Sequence, residues 1–260
     1  MNPEKVICMK YYEDLLLLGC FSRKDAENLT GNKKTADSML RDYLQRGYIE
    51  RVRHDLYAVI SFDTKQPVLS QYQIGCCIFP DAYLSHHSAF EYYGYANQVF
   101  REVYIATGSR FQDFEYNGYF FHRVAAKKNP VTTIGNKIRV ASVEQTVIDC
   151  IEDFEKLTGI EETLRCIALI PSLNEEALLK ILNDRSNGFL YQKCGYLLQS
   201  SNSGLQLSAS FFDECRKRIS GSKKKLMRNS NNSVWNEEWN LYVPRSVSDI
   251  IGKGVDTNDL

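Results

Sequence analysis

Hydrophobic positions recur at helical spacing through the first quarter of the chain. Ala36, Met39, Leu40, Tyr43 and Leu44 fall at i, i+3, i+4, i+7 and i+8, which predicts a helix from about Asn32 to Arg46 with one buried stripe. Ser22, with Asp25 three residues on, reads as the capped start of a shorter helix ending at Leu29-Thr30-Gly31. Residues 3 to 19 form a further amphipathic segment that stops at Gly19. Gly47 stands where a helix C-terminus wants a left-handed residue. Beyond it the spacing changes from helical to alternating. Tyr48 to Val52 and Leu56 to Val59 read as two strands around the charged tip Arg53-His54-Asp55. Helix, turn, helix and charged hairpin in that order predict a winged helix-turn-helix over residues 1–62.

The rest of the chain, residues 68–260, predicts a mixed α/β domain with a small antiparallel sheet and a helical C-terminal part, so the fold class expected is α+β. Ser61 to Pro67 is a polar connector. Helices are expected over Val68–Phe79, from Ser85 to a stop at Gly94, and from Ser142 to Asp153. Between the last two, Val99–Thr107 alternates like a strand. Asn117-Gly118 and Gly135-Asn136 each mark a hairpin turn. From Ile160 to Ile219 the pattern is helical in four segments. Gly221 to Ser233 reads as a mobile polar stretch, Trp235–Val243 as a last strand and Ser246–Gly252 as a last helical turn.

Charge sharpens this picture. With 32 cationic and 32 anionic side chains the net charge is zero, so no attraction of the whole molecule to nucleic acid follows. The distribution is polarised. Between Glu144 and Asp184 ten acidic residues face three basic ones, whereas Arg216 to Arg228 holds seven basic residues and no acidic one. On the Asn32–Arg46 helix, Lys34, Ser38, Arg41 and Gln45 lie opposite the apolar stripe, and Lys33 and Thr35 lie at its start. Such side chains donate to phosphates and base edges, and a recognition helix enters the major groove by its N-terminal residues. Arg51 and Arg53 place two more cations on the hairpin. Lys223, Lys224 and Lys225 are read two ways, as auxiliary phosphate contacts or as a solubilising charge run.

Candidate chemistry is sparse. The eight cysteines contain no CxxC pair, which argues against a zinc ribbon or a dithiol redox site and for reduced, buried thiols in a cytoplasmic protein. No GxGxxG, P-loop or GxSxG sequence occurs. His87 and Glu91 are one helical turn apart next to His86, a spacing able to hold a metal ion, but no third ligand is evident and a capped helix with buried histidines is the expectation. Asp149, Glu152 and Asp153 read as a solvated acidic helix end. No catalytic residue, cofactor or metal is therefore expected.

The winged segment, together with the runs from Leu84 to Gly94 (LSHHSAFEYYG) and from Val140 to Cys150 (VASVEQTVIDC), resembles the AbiEi family over about Phe21 to Asp153. These are antitoxin-type transcriptional regulators of type IV toxin–antitoxin operons, linked to abortive infection. The resemblance implies a winged domain that represses its own operon by binding inverted repeats in double-stranded DNA. It also implies a C-terminal domain that neutralises a cognate nucleotidyltransferase-like toxin without a stable complex. The positions matching the family's DNA-reading surface are Lys33, Lys34, Thr35, Ser38 and Arg41, plus Arg51 and Arg53. Asp55 departs from the glycine common at such wing tips. Two rival readings remain: a ligand-sensing winged-helix regulator with no toxin partner, which needs an apolar pocket within residues 68–200, and a DNA-targeted metal-dependent enzyme using His86, His87 and Glu91.

Overall fold

The computed structural model describes residues 9–128, 132–135, 137–157, 159–229 and 232–252. The chain is a mixed α/β protein with small antiparallel and mixed sheets, divided into two compact units. The first takes in Met1–Leu84, Arg101–Ala125 and Gly135–Arg139. The polar connector at residues 61–67 thus lies inside this unit.

The first unit begins with α1 (Tyr12–Leu18), β1 (Cys20–Ser22), α2 (Arg23–Thr30) and α3 (Lys33–Gln45). A hairpin of β2 (Ile49–Arg53) and β3 (Leu56–Val59) follows. Residues 1–8, part of the expected first helix, lie outside the described residues. Each start has a local cause. Ser22 and Asp25 form a reciprocal capping box on α2, and the Asn32 side chain accepts from the Lys34 and Thr35 amides at 2.8 and 3.3 Å. Gly47 takes φ +68° and releases the chain from α3 into β2. β1 and β2 flank β3 in an antiparallel sheet, with Cys20 opposite Ala58 and Ile49 opposite Val59. The core between helices and sheet is Leu15, Phe21, Ala26, Ala36, Met39, Leu40, Tyr43 and Ile49. An aromatic group closes one end: Tyr12 stacks on Phe62 at 4.3 Å between ring centres, and Tyr48 meets both edge-on.

The same unit continues through α4 (Gln71–Cys77), β4 (Tyr83–Leu84), β5 (Glu102–Thr107), β6 (Phe114–Tyr116) and β7 (Tyr119–Ala125). These strands lie in the order β6-β7-β5-β4. β5 and β7 are parallel, and the other two pairs are antiparallel. Asn117 and Gly118 turn the β6–β7 hairpin with φ of +50° and +77°, as their sequence signature requires. Arg139 fastens the far side of α4, its guanidinium donating to the Ala82, Cys76 and Phe79 carbonyls at 2.8, 3.3 and 3.3 Å.

The second unit comprises Ser85–Phe100, Ala126–Ile134 and Val140–Leu260. Its elements begin with α5 (His86–Tyr93). Between the two hairpin strands β8 (Thr132–Gly135) and β9 (Ile138–Ala141), Asn136 of the expected second turn lies outside the described residues. Then come α6 (Val143–Asp153), α7 (Gly159–Ala168), α8 (Glu175–Arg185), α9 (Gly188–Ser200), α10 (Asn202–Leu205) and α11 (Ala209–Arg216). The chain continues through β10 (Lys224–Lys225), β11 (Ser233–Asn236), β12 (Leu241–Pro244) and α12 (Arg245–Gly252). The described part of the stretch from Gly221 departs from its expected mobility. Lys224 and Lys225 pair in parallel with Leu241 and Tyr242, and Leu226 is fully buried, so one apolar side chain anchors the basic stretch.

The centre of this unit is Trp239, 1% exposed against Gly195 in the middle of α9. A Cβ on Gly195 would come within 2.0 Å of the indole ring, so the helix admits no larger residue there. The indole Nε1 donates to Gln199 at 2.6 Å, and Phe212 packs edge-on. Gly195→Ala is expected to lower stability by about 1–2 kcal/mol, because the overpacking penalty exceeds the roughly 1 kcal/mol gained in helix propensity. Urea unfolding of the variant checks this, and an unchanged or higher midpoint would refute the contact.

Candidate functional site

Burial of Ala36, Met39, Leu40 and Tyr43 turns the other side of α3 outward. Lys33, Lys34, Thr35, Ser38, Arg41 and Gln45 are all exposed along that face. The helix begins with two lysines and has no acidic residue in its first turn. Cations at the positive end of a helix dipole cost about 0.3–1 kcal/mol each, the reverse of what helix stability alone would select. The Arg41 Nε stays on its own helix, donating to the Asp37 carbonyl at 3.3 Å. Asp37, the acid nearest this row, is ion-paired with Arg23.

Arg51 on β2 is exposed, with its guanidinium 5.7 Å from the Tyr57 ring centre. Arg41 and Arg51 line one shallow groove of about 300 Å³ with Arg23, Asp37 and Tyr57. Two successive elements, helix and hairpin, thus deliver their cations to one concave surface. Glu50, which faces solvent between them, accepts a hydrogen bond from the Tyr116 hydroxyl at 3.0 Å.

The hairpin tip adds contacts that the sequence does not show. Asp55 adopts φ +61°, the left-handed turn that an aspartate tolerates, and His54 is exposed. Arg53, expected to hold a phosphate, instead turns its guanidinium over three rings, 5.3 Å from Phe79, 5.4 Å from Phe111 and 5.8 Å from Phe114. Partial burial in that aromatic cage lowers its pKa. The charge is spent on fastening the hairpin.

Lys223, Lys224 and Lys225 belong to the second unit. The Lys223 ammonium lies 4.8 Å from the Trp235 ring centre, while Lys224 and Lys225 are exposed on β10. Upstream cations of the basic stretch are already matched. Arg216 pairs with Asp213 and Glu238 at 2.7 and 2.5 Å, and Lys217 and Arg218 hold the Glu214 carboxyl down at about 2.

Inside the second unit, polar side chains converge on α5 and α6. His86, at φ +51° on the first turn of α5, pairs through Nδ1 with the Ser85 hydroxyl at 2.9 Å and places Nε2 3.7 Å from Asp153. The acidic end of α6 is no solvated face. Asp149 is 1% exposed and accepts from Arg185 at 2.6 Å and Gln145 at 2.8 Å, and Glu152 accepts from Lys127 at 2.8 Å. Two cations from elsewhere in the unit, Arg185 and Lys127, thus meet carboxylates that the sequence alone assigns to water. Beside this network lies a cavity of about 410 Å³, lined by Glu152, Asp153, Asn187, Phe189 and Lys193 among others, charged rather than apolar.

His86, His87 and Glu91 do not converge. His87 points elsewhere: Nε2 lies 3.4 Å from Glu162 and Nδ1 3.8 Å from Glu91, and burial pushes the imidazole down to about 4. Cys166, one turn beyond Glu162 on α7, donates its thiol to that carboxylate at 3.6 Å. Glu162 and Cys166 escape sequence reasoning because an i, i+4 pair gives no hint of a histidine about 75 residues away.

No family model matches the chain, and neither does any curated protein. Among solved structures it is similar to the crystal structure of the RV2827C protein from Mycobacterium tuberculosis, with a TM-score of 0.64 at 13% identity over 95% of this chain and 93% of that one. That likeness concerns the fold. No helix among the described residues is long and apolar enough to cross a membrane.

A pH dependence follows from Asp153. The adjacent His86, with Lys156 and Lys127 on its other side, holds its carboxyl well below the usual carboxylate range. A depressed folded-state pKa stabilises the fold above the unfolded value of about 3.9, and the contribution is lost as pH falls through the acid region. Asp153→Asn is expected to cost about 1–2 kcal/mol at neutral pH, after allowance for water at its open side. The gap should close below about pH 4. Denaturant titrations at both pH values measure it, and a pH-independent gap would refute the pairing.

Proposed function

We propose that this chain is a DNA-binding antitoxin of the AbiEi kind, which represses its own operon through an N-terminal winged helix-turn-helix and neutralises a nucleotidyltransferase-like toxin. In this reading α2 and α3 are the helix-turn-helix and the β2–β3 hairpin is the wing. Lys34, Ser38, Arg41 and Gln45 face bases in the major groove, while Lys33, Thr35 and Arg51 hold phosphates. The observation that carries it is the uninterrupted exposed row on α3, headed by two lysines at the helix end where only an approaching anion makes them favourable. The shared groove of Arg41 and Arg51 supports it further, since a duplex needs cations from helix and hairpin on one surface. Arg53 leaves the set of DNA contacts and becomes a positioning residue for the wing.

The antitoxin half of the proposal rests on the family resemblance of the segments from Leu84 to Gly94 and from Val140 to Cys150. Their residues build α5 and the β9–α6 junction, where Ser142 caps α6 by accepting from the Gln145 amide at 3.2 Å.

Gel shifts with the operon's own upstream DNA test the reading. Arg41→Ala should weaken specific binding by about 1–3 kcal/mol, and Lys34→Ala should lower affinity across sequences and reduce the salt slope by about one. Binding unchanged in the double variant would remove α3 as the reading helix. For the antitoxin role, the neighbouring gene should encode a nucleotidyltransferase whose toxicity co-expression of this chain relieves, and absence of such a gene or failure to protect would reject it.

A further inference from the structure

We propose that His87, Glu162 and Cys166 form a binding site for a borderline divalent cation, zinc by preference, with Glu91 orienting the histidine. The sequence reading assigned no metal ligands, and this site is independent of the DNA-binding face.

Geometry carries the inference. The three ligand atoms lie within 4.8 Å of one another. A tetrahedral zinc with nitrogen and oxygen ligands at about 2.1 Å and sulfur at about 2.3 Å has edges of about 3.4 Å between N and O and about 3.6 Å between S and O. The measured His87 Nε2 to Glu162 Oε1 and Cys166 Sγ to Glu162 Oε1 separations are 3.4 and 3.6 Å. Two of the three edges therefore match with no side-chain movement.

Burial supplies a second, independent argument. A thiol donating to a carboxylate would by itself account for Cys166 and Glu162. It leaves His87, 2% exposed, with both ring nitrogens buried and without a hydrogen bond. Leaving such a group unsatisfied costs about 1–3 kcal/mol. A cation at Nε2 resolves that side. At Nδ1 the Glu91 carboxylate, itself held by the Phe100 amide at 2.8 Å, lies 3.8 Å away and becomes the acceptor that metal-bound imidazoles characteristically use. Glu162, 9% exposed, is the least buried of the three ligands. One sulfur, one nitrogen and one oxygen donor disfavour magnesium and calcium. Three protein ligands leave the fourth position for water or an incoming group.

The test is a cobalt titration of the chelator-stripped full chain. One equivalent of Co²⁺ should develop the intense visible bands of a tetrahedral ion and a near-ultraviolet sulfur-to-cobalt transition, both removed by zinc. Cys166→Ser should abolish the sulfur transition, Glu162→Gln should weaken cobalt binding at least about tenfold, and Cys77→Ser should change neither. Absence of these bands at one equivalent, or a sulfur transition that survives Cys166→Ser, overturns the proposal. Should the cysteine variant not fold, the Glu162 variant decides alone: unchanged cobalt affinity in Glu162→Gln rejects the site.

Discussion

The rotation of α3 about its own axis is the constraint from which the first unit's surface follows. Ala36, Met39, Leu40 and Tyr43 can be buried together only when one side of the helix faces the three-stranded sheet. Burying a large apolar side chain is worth about 1.5–3 kcal/mol, so Met39, Leu40 and Tyr43 together outweigh the roughly 1–2 kcal/mol that Lys33 and Lys34 cost at the positive helix end. The core therefore dictates where the cations point. Surface charge gets no vote in that orientation, which is why so unfavourable a helix start can persist.

The second unit resolves the opposite problem. Ten acidic residues between Glu144 and Asp184 would repel one another on a solvated helix, and part of this charge is drawn inward. Taking Asp149 out of water is tolerable because Arg185 and Gln145 satisfy it with direct bonds, and Lys127 does the same for Glu152. Buried ion pairs of this kind add little net stability over an apolar packing, but losing one partner is costly. Arg185 on α8 reaches two carboxylates of α6 at once, so sliding one helix past the other would break both pairs.

Much of the fold was legible in the sequence because its signals are local. The capping box of Ser22 and Asp25, the left-handed Gly47 and the Asn117-Gly118 turn each rest on residues within four positions of one another. The solvent-facing row of α3 was legible for the same reason, since helical periodicity assigns every position a side. What escaped depends on partners distant in the chain. Arg53 looks like a free wing cation until Phe79, Phe111 and Phe114 are folded around it. The run from Gly221 looks mobile until Leu226 finds the core and the strand at Leu241 receives Lys224. Glu152 looks solvated until Lys127 arrives from a loop 25 residues earlier.

The two adjacent histidines of α5 separate these principles within one dipeptide. Both are almost wholly buried, at 1% and 2% exposure, so desolvation alone cannot distinguish them. His86 is met by an acid: Asp153 lies on its Nε2 side and the Ser85 hydroxyl on its Nδ1 side, and this pairing belongs to the framework. His87 has a carboxylate on each side, at 3.4 and 3.8 Å, and its ring meets Phe100 in a T-shaped contact at 4.4 Å between centres. Acceptors held at that distance on both nitrogens would be a poor design for a neutral imidazole, which has only one proton to give. They are a sensible one when a small cation sits between the ring and one of them. Burial in this unit thus gives two neighbouring histidines different company: one carboxylate and a hydroxyl beside His86, and two carboxylates and a thiol around His87.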